Sequence, residues 1–188
     1  VLQTKMNLEM AVTDAMLAFA EQVRPECVCL VPEKREELTT EGGLDVAGLH
    51  NTITPIVREL GEAGSRVSLF IEAASGQIEA AARSGAPVIE IHTGAYAHAL
   101  DDGELEKAAQ ILKAMQEGAA FAHSLGLEVH AGHGITFDNV AAIAAIPELK
   151  ELNIGHFLVG EAIFMGLEPV LHTMRELMDA ARAEGSAA

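Results

Sequence analysis

Two glycines bracket a histidine in Leu127-Glu128-Val129-His130-Ala131-Gly132-His133-Gly134-Ile135-Thr136. Apolar residues run into the pair, and Thr136 stands where a following helix would take its N-cap, so the stretch reads as a strand ending in an open turn. Bare backbone on both sides of His133 lets a bound group come close. It also leaves the Gly134 N–H unshielded beside the positive end of the helix that Thr136 opens. The chemistry this permits is anion binding next to an imidazole. For one such turn, a plain strand-to-helix connection with a chance histidine is an equal reading; Gly155-His156 repeats the device and favours the binding one.

Proton-transfer groups stand at comparable places. Glu9 lies in the short alternating segment from Met6 to Met10, and Glu90 and His92 point the same way from Pro87-Val88-Ile89-Glu90-Ile91-His92. A carboxylate and an imidazole facing one pocket can serve as general acid and base. With Thr39 in a polar loop, the candidates are Glu9, Thr39, Glu90, His92, His133, Gly134, Gly155 and His156. Any one Glu or His of this kind is more often a hydrogen-bonded structural residue, but a set at equivalent strand ends is harder to produce by accident. His92, His130, His133 and His156 also invite a zinc reading, which is disfavoured because no aspartate ends a late strand.

These groups need elements to position them. Apolar runs at Cys27–Val31, Val67–Ile71, Pro87–His92, Leu127 onward, Leu152–Ile154 and Phe157–Val159 join Met6–Met10 as strands. Helices are expected over Thr13–Val23, from Asp45 to Gly61 or Gly64, from a Ser75 cap to Gly85, over Gly103–Leu125, over Phe137–Ala145 and from Gly160 onward. Pro55 would kink the second or mark a new start. Strands alternating with amphipathic helices imply right-handed βαβ units and a parallel sheet in one domain, residues 1–188. Two architectures fit. A (β/α)8 TIM barrel usually takes about 250 residues, so this chain would be one lacking its first units. A doubly wound sheet is the rival, but no glycine-rich dinucleotide or P-loop fingerprint follows any strand.

Composition narrows the function. A net charge of −16 and a pI near 4.7 disfavour nucleic acid, whose phosphates require clustered Lys and Arg. Hydrophobic residues make up 49 %, yet no apolar run is long enough to cross a bilayer, and the expectation from the residues given is no signal peptide. Cys27 and Cys29 share one face of a strand and read as buried free thiols of a reducing cytoplasm. The loop from Glu33 to Gly43 is long for a compact domain, as functional loops often are.

The segments TKMNLEMAVT, CLVPEKREELTTEGGLDVAG, VSLFIEA, GAPVIEIHTGAYA and LGLEVHAGHGITFDNVAAIAAIPELKELNIGHFLVGEAIFMGL together resemble the pyridoxine 5′-phosphate synthase family of the deoxyxylulose-dependent vitamin B6 route, over nearly the whole chain. The resemblance implies a (β/α)8 barrel with extra helices, assembled as a homo-octamer in the cytoplasm. It implies a condensation of 1-deoxy-D-xylulose 5-phosphate with 3-amino-2-oxopropyl phosphate that releases phosphate and water, with no cofactor or metal. By motif, Glu9 matches the family's catalytic glutamate, His133 its general acid, and Glu90 the glutamate that stabilises the transition state. Thr39 matches a contact to the deoxyxylulose substrate, and Gly134, Gly155 and His156 match contacts to the aminoketone phosphate.

One departure follows from the resemblance. The family begins with about two further βα units, in keeping with the usual barrel length. They carry an Asn, an Asp-His pair, an Arg and a His-x-Arg cluster, none of which lies in this chain, whose first residue is Val1. Without those cations two phosphorylated substrates lack partners, and the expectation is no turnover from the chain as it stands. Two rival functions remain: a phosphosugar isomerase or aldolase barrel, for which Lys34 is the lysine available, and a scaffold whose Gly103–Leu125 and Val170–Ala181 faces bind partners.

Overall fold

Alternation along the strands separates two faces of one sheet. Val28 and Leu30, Val67, Leu69 and Ile71, Ile89 and Ile91, and Val129 and Ala131 are buried and join one continuous core with helical residues such as Ile53, Leu60, Ile78, Ala119 and Ile143. The intervening positions carry Cys29, Ser68, Glu90, His130, Gly132 and Asn153, so polar chemistry collects on the opposite face. The computed structural model describes residues 3–33 and 42–185.

Within them the strands are β1 (Asn7–Ala11), β2 (Cys27–Val31), β3 (Arg66–Ile71), β4 (Val88–His92), β5 (Glu128–Gly132) and β6 (Leu149–Asn153). All five pairings are parallel, in the order β1-β2-β3-β4-β5-β6. A doubly wound sheet reverses its strand order at a switch point, whereas a barrel wall adds each strand beside the last. The observed order decides for the barrel-like wall.

Helices α1 (Asp14–Val23), α2 (His50–Glu62), α3 (Ser75–Ser84), α4 (Gly94–Asp101), α5 (Leu105–Ser124), α6 (Val140–Ala144), α7 (His156–Met165) and α8 (Leu167–Gly185) complete the described residues. The Thr13 hydroxyl caps α1 by accepting from the Met16 N–H at 3.3 Å, and Gly85 ends α3 at φ 85°.

Several sequence expectations are corrected. Asp45 opens a turn and not α2: its carboxylate accepts from the Gly48 N–H at 3.0 Å, and the helix starts at His50 and runs through Pro55 as one element. Ser75 is the first residue of α3, with Ala74 at the N-cap. Phe157–Val159 is not a strand but the first part of α7, whose apolar residues surround the helix; a short run apolar on every side carries no period that separates helix from strand. The stretch after Thr93 holds α4, an alanine-rich helix that buries Tyr96, Ala97 and Ala99.

Candidate active site

Strand ends on the polar face open into a cleft of about 1210 Å³. Glu9, Glu90, His92, His133, Gly134, Gly155 and His156 all line it, so the groups expected to act together are brought together. Thr39 and Lys34 lie outside the described residues.

Glu90 sits deepest, at 3 % exposure. The Asn153 amide donates to its Oε2 at 2.6 Å, and the Cys29 thiol donates to the same oxygen at 3.5 Å. Desolvation pushes the carboxyl up to about 7, against the pull of those two donors and with a further push from the charges of Glu9 and Glu151. Gly132 makes room for it: a Cβ there would overlap Glu90 Oε1 and lie 3.0 Å from the Asn153 carbonyl oxygen. Burial, then the Glu90 charge, raises the Cys29 thiol well above its ordinary pKa, so it stays a donor.

Glu9 stands exposed on β1, opposite Cys29 in the pairing register. His92 packs edge-on to Phe70 at 5.0 Å between ring centroids and tilted against His133 at 5.2 Å. Burial, and then the neighbouring His133, lowers His92 to about 4, which keeps it neutral near pH 7. Gly42 and Gly94 leave the space its ring occupies.

His133 is exposed to the cleft and has a φ of 81°, followed by Gly134 at 73°. A left-handed backbone at a residue with a side chain costs of order 1–3 kcal/mol and persists where surrounding contacts over-determine it. Those contacts are present. The Thr93 hydroxyl donates to the Gly132 carbonyl at 2.8 Å and also meets the His133 carbonyl; the Thr93 N–H donates to the Gly132 carbonyl at 2.9 Å. Beyond the turn, Asn139 accepts from the Thr136 N–H at 2.8 Å and donates to the Gly134 carbonyl at 2.9 Å. Thr136 is therefore not the helix cap. The N-cap position is Asn139, and α6 covers five residues where Phe137–Ala145 was expected, so its dipole adds little at Gly134. Glycine at 134 has a second cause: a Cβ there would lie 2.9 Å from the Ala97 methyl of α4.

Gly155 is the N-cap of α7 and His156 its first residue, both exposed. The correction from strand to helix strengthens this half of the site, because the first N–H groups of a ten-residue helix have no partners within it and carry positive charge. Phe137 and Phe157, with ring centroids 4.8 Å apart, join the His133 turn to the start of α7.

The sequence reading missed Asn153, Thr93 and Asn139. Asn153 was within reach of it, since alternation along β6 puts it on the cleft face two residues before Gly155. Lys107, His98 and Asp101 also line the cleft, and Lys107 holds Glu104 at 2.6 Å. His130, counted among metal candidates, bonds Glu128 at 2.9 Å and lies 3.8 Å from Glu151. Among the described residues no three His, Cys, Asp or Glu side chains come close enough to ligate one ion.

The family profile described as pyridoxal phosphate biosynthesis protein PdxJ matches residues 1–180. The chain is 58 % identical over 182 residues to the pyridoxine 5′-phosphate synthase of Caulobacter sp. (strain K31), covering 97 % of this chain and 72 % of that protein. Identity is 57 % to the synthase of Roseobacter denitrificans, covering 97 % and 74 %. It is 59 % to that of Zymomonas mobilis subsp. mobilis, covering 95 % and 68 %. Among solved structures, an HpcH/Hpal aldolase/citrate lyase family protein from Burkholderia cenocepacia J2315 superposes with TM-score 0.54 at 15 % identity, over 96 % of this chain and 76 % of that one. A xylose isomerase domain protein from Planctomyces limnophilus gives 0.53 at 13 %, over 81 % and 64 %. Likenesses at such identity concern the fold alone, which is TIM-barrel-like.

Proposed function

The chain belongs to the PdxJ family of pyridoxal phosphate biosynthesis proteins, and from that premise we infer that it is an enzyme condensing 1-deoxy-D-xylulose 5-phosphate with 3-amino-2-oxopropyl phosphate to form pyridoxine 5′-phosphate. Phosphate and water leave. The observation that carries the residue-level reading is the convergence of Glu9, Glu90, His133, Gly134, Gly155 and His156 on one cleft. The fold reading that goes with it is an eight-unit (β/α) barrel in one domain, of which β1–β6 supply six consecutive strands.

Joining an amine to a ketone and then eliminating water and phosphate requires several proton transfers in sequence. Glu9 and His133 serve as base and acid in the one cleft that both line, imidazole being the side chain that gains and loses a proton near neutrality. Glu90, held near 7 by burial, can meet a developing positive charge as an anion or donate as an acid. The N–H groups at Gly155 and His156 offer donors to a phosphoryl group at the start of α7, and Gly134 lines the same cleft. Thr39 contacts the deoxyxylulose substrate. No cofactor enters this scheme, and the setting we propose is cytoplasmic, as a homo-octamer.

Fed both substrates, a version of the chain that carries the family's N-terminal units should release pyridoxine 5′-phosphate and inorganic phosphate together. In that full-length version His133→Ala should lower kcat by roughly 10²-fold or more. An unchanged rate would reduce His133 to a turn residue and sink the acid–base assignment.

A further inference from the structure

We infer that Asn153 is a positioning residue for the reaction: with the Cys29 thiol, its amide pins one oxygen of Glu90 and leaves the other to face the reacting centre. The inference rests on the reading of Glu90 as a group that meets the substrate. Among the described residues the hydrogen bonds to Glu90 both go to Oε2, from Asn153 at 2.6 Å and from Cys29 at 3.5 Å. Oε1 lies over Gly132, where the absence of a side chain is what admits it. The carboxyl is thereby fixed in rotation from two strands, β6 and β2, that lie two places away from its own on either side in the sheet.

The choice of donors matters. A carboxamide cannot lose its proton, and the Cys29 thiol keeps its own because burial and the Glu90 charge hold it protonated. Neither donor changes charge near neutral pH, so a proton gained or lost in this trio is gained or lost on Glu90, at the oxygen without a protein donor. A serine or histidine at 153 would be a poorer anchor, the first for reach and the second because it titrates.

The surroundings contain other groups that titrate or carry charge. Glu9 on β1 and Glu151 on β6 push Glu90 toward its protonated form. His130 stands beside it across the β4–β5 pairing, His92 follows it on its own strand, and β3 presents the uncharged Ser68 and Phe70. His133 and His156 face the same cleft. Of the two hydrogen bonds to Glu90 the one from the Asn153 amide is the shorter, and it opposes the carboxylates.

The test is the titration of Glu90 itself, read by carbon NMR of protein labelled at its glutamate carboxyls, with the Glu90 signal identified by its loss in Glu90→Gln. Removing the amide in Asn153→Ala should move the Glu90 midpoint up by about one pH unit. The kcat profile should move with it, kcat falling roughly 10-fold and KM changing far less. Cys29→Ser, which replaces a weak donor with a stronger one, should move the midpoint down and serves if Asn153→Ala does not fold. Midpoints unmoved in a folded Asn153→Ala, or in Cys29→Ser when that variant stands in for it, overturn the proposal. Full turnover in Glu90→Gln would overturn something different, the role of Glu90, while leaving the titration result standing.

Discussion

Burying Glu90 has a measurable consequence at the scale of one residue. Its folded pKa, about 7, lies above the ordinary carboxylate value of 4.5. The folded state therefore holds its proton when the unfolded chain has already released it. Below the unfolded value both states are protonated and nothing is lost; between 4.5 and 7 stability falls as pH rises, and above 7 the loss is complete. Glu90→Gln, neutral throughout, should match the parent near pH 4 and exceed it at pH 8 by roughly 1–3 kcal/mol in urea unfolding. A parent as stable as the variant at pH 8 would contradict this. The residue types behind this behaviour were legible beforehand: Glu90 was picked out as a carboxylate sharing a face with His92. Its partners were not, because Cys29 and Asn153 come from positions 61 and 63 residues away and only the parallel register brings them together. Sequence patterns report what a strand faces, but not what stands across from it.

At the scale of elements, the buried core strands were easy to read, while the turns and the stretch after β6 were not. A buried parallel strand announces itself by a short apolar run, and those at Cys27, Val67, Val88 and Glu128 fall where that pattern puts them. The helix after β5 was misjudged because Thr136 has the chemistry of a cap, whereas the structure uses Asn139 from the far side of the turn to hold both Thr136 and Gly134. This bracket is what keeps the strained His133 backbone in place from downstream, as Thr93 does from β4's end. Asn139 is 6 % exposed, so its amide cannot turn to water if its partners are lost. Asn139→Ala should destabilise the fold by about 1–3 kcal/mol through the unpaired Gly134 carbonyl and Thr136 N–H. It should also lower kcat more than it raises KM, since the His133 ring would sample positions off the reacting atoms. A variant with full activity and an unshifted Tm would show that the turn holds itself.

The whole molecule presents two surfaces of opposite character. Charge is spread widely, a net −16 over 188 residues, and keeps copies of the chain apart at low ionic strength. Against it stands an apolar face formed by the second half of α7 and the start of α8, where Ile163 is 78 % and Phe164 86 % exposed and Val159, Leu167 and Leu171 are also open. Helical faces were weighed as partner surfaces from the sequence over Gly103–Leu125 and Val170–Ala181, and in the second Val170, Met174 and Ala181 turn out to be buried; the exposed face lies before it, from Val159 in the stretch read as a strand into the helix expected from Gly160. A patch of large side chains left in water on an acidic protein is where the self-association proposed here would form. Ile163→Glu with Phe164→Glu should reduce the assembly to smaller species in sedimentation equilibrium while leaving far-UV circular dichroism unchanged. Because repulsion between the acidic subunits opposes the contact, added salt should strengthen association of the parent and do little for the variant. An unchanged mass in the doubly substituted protein would mean that this face is not where the copies meet.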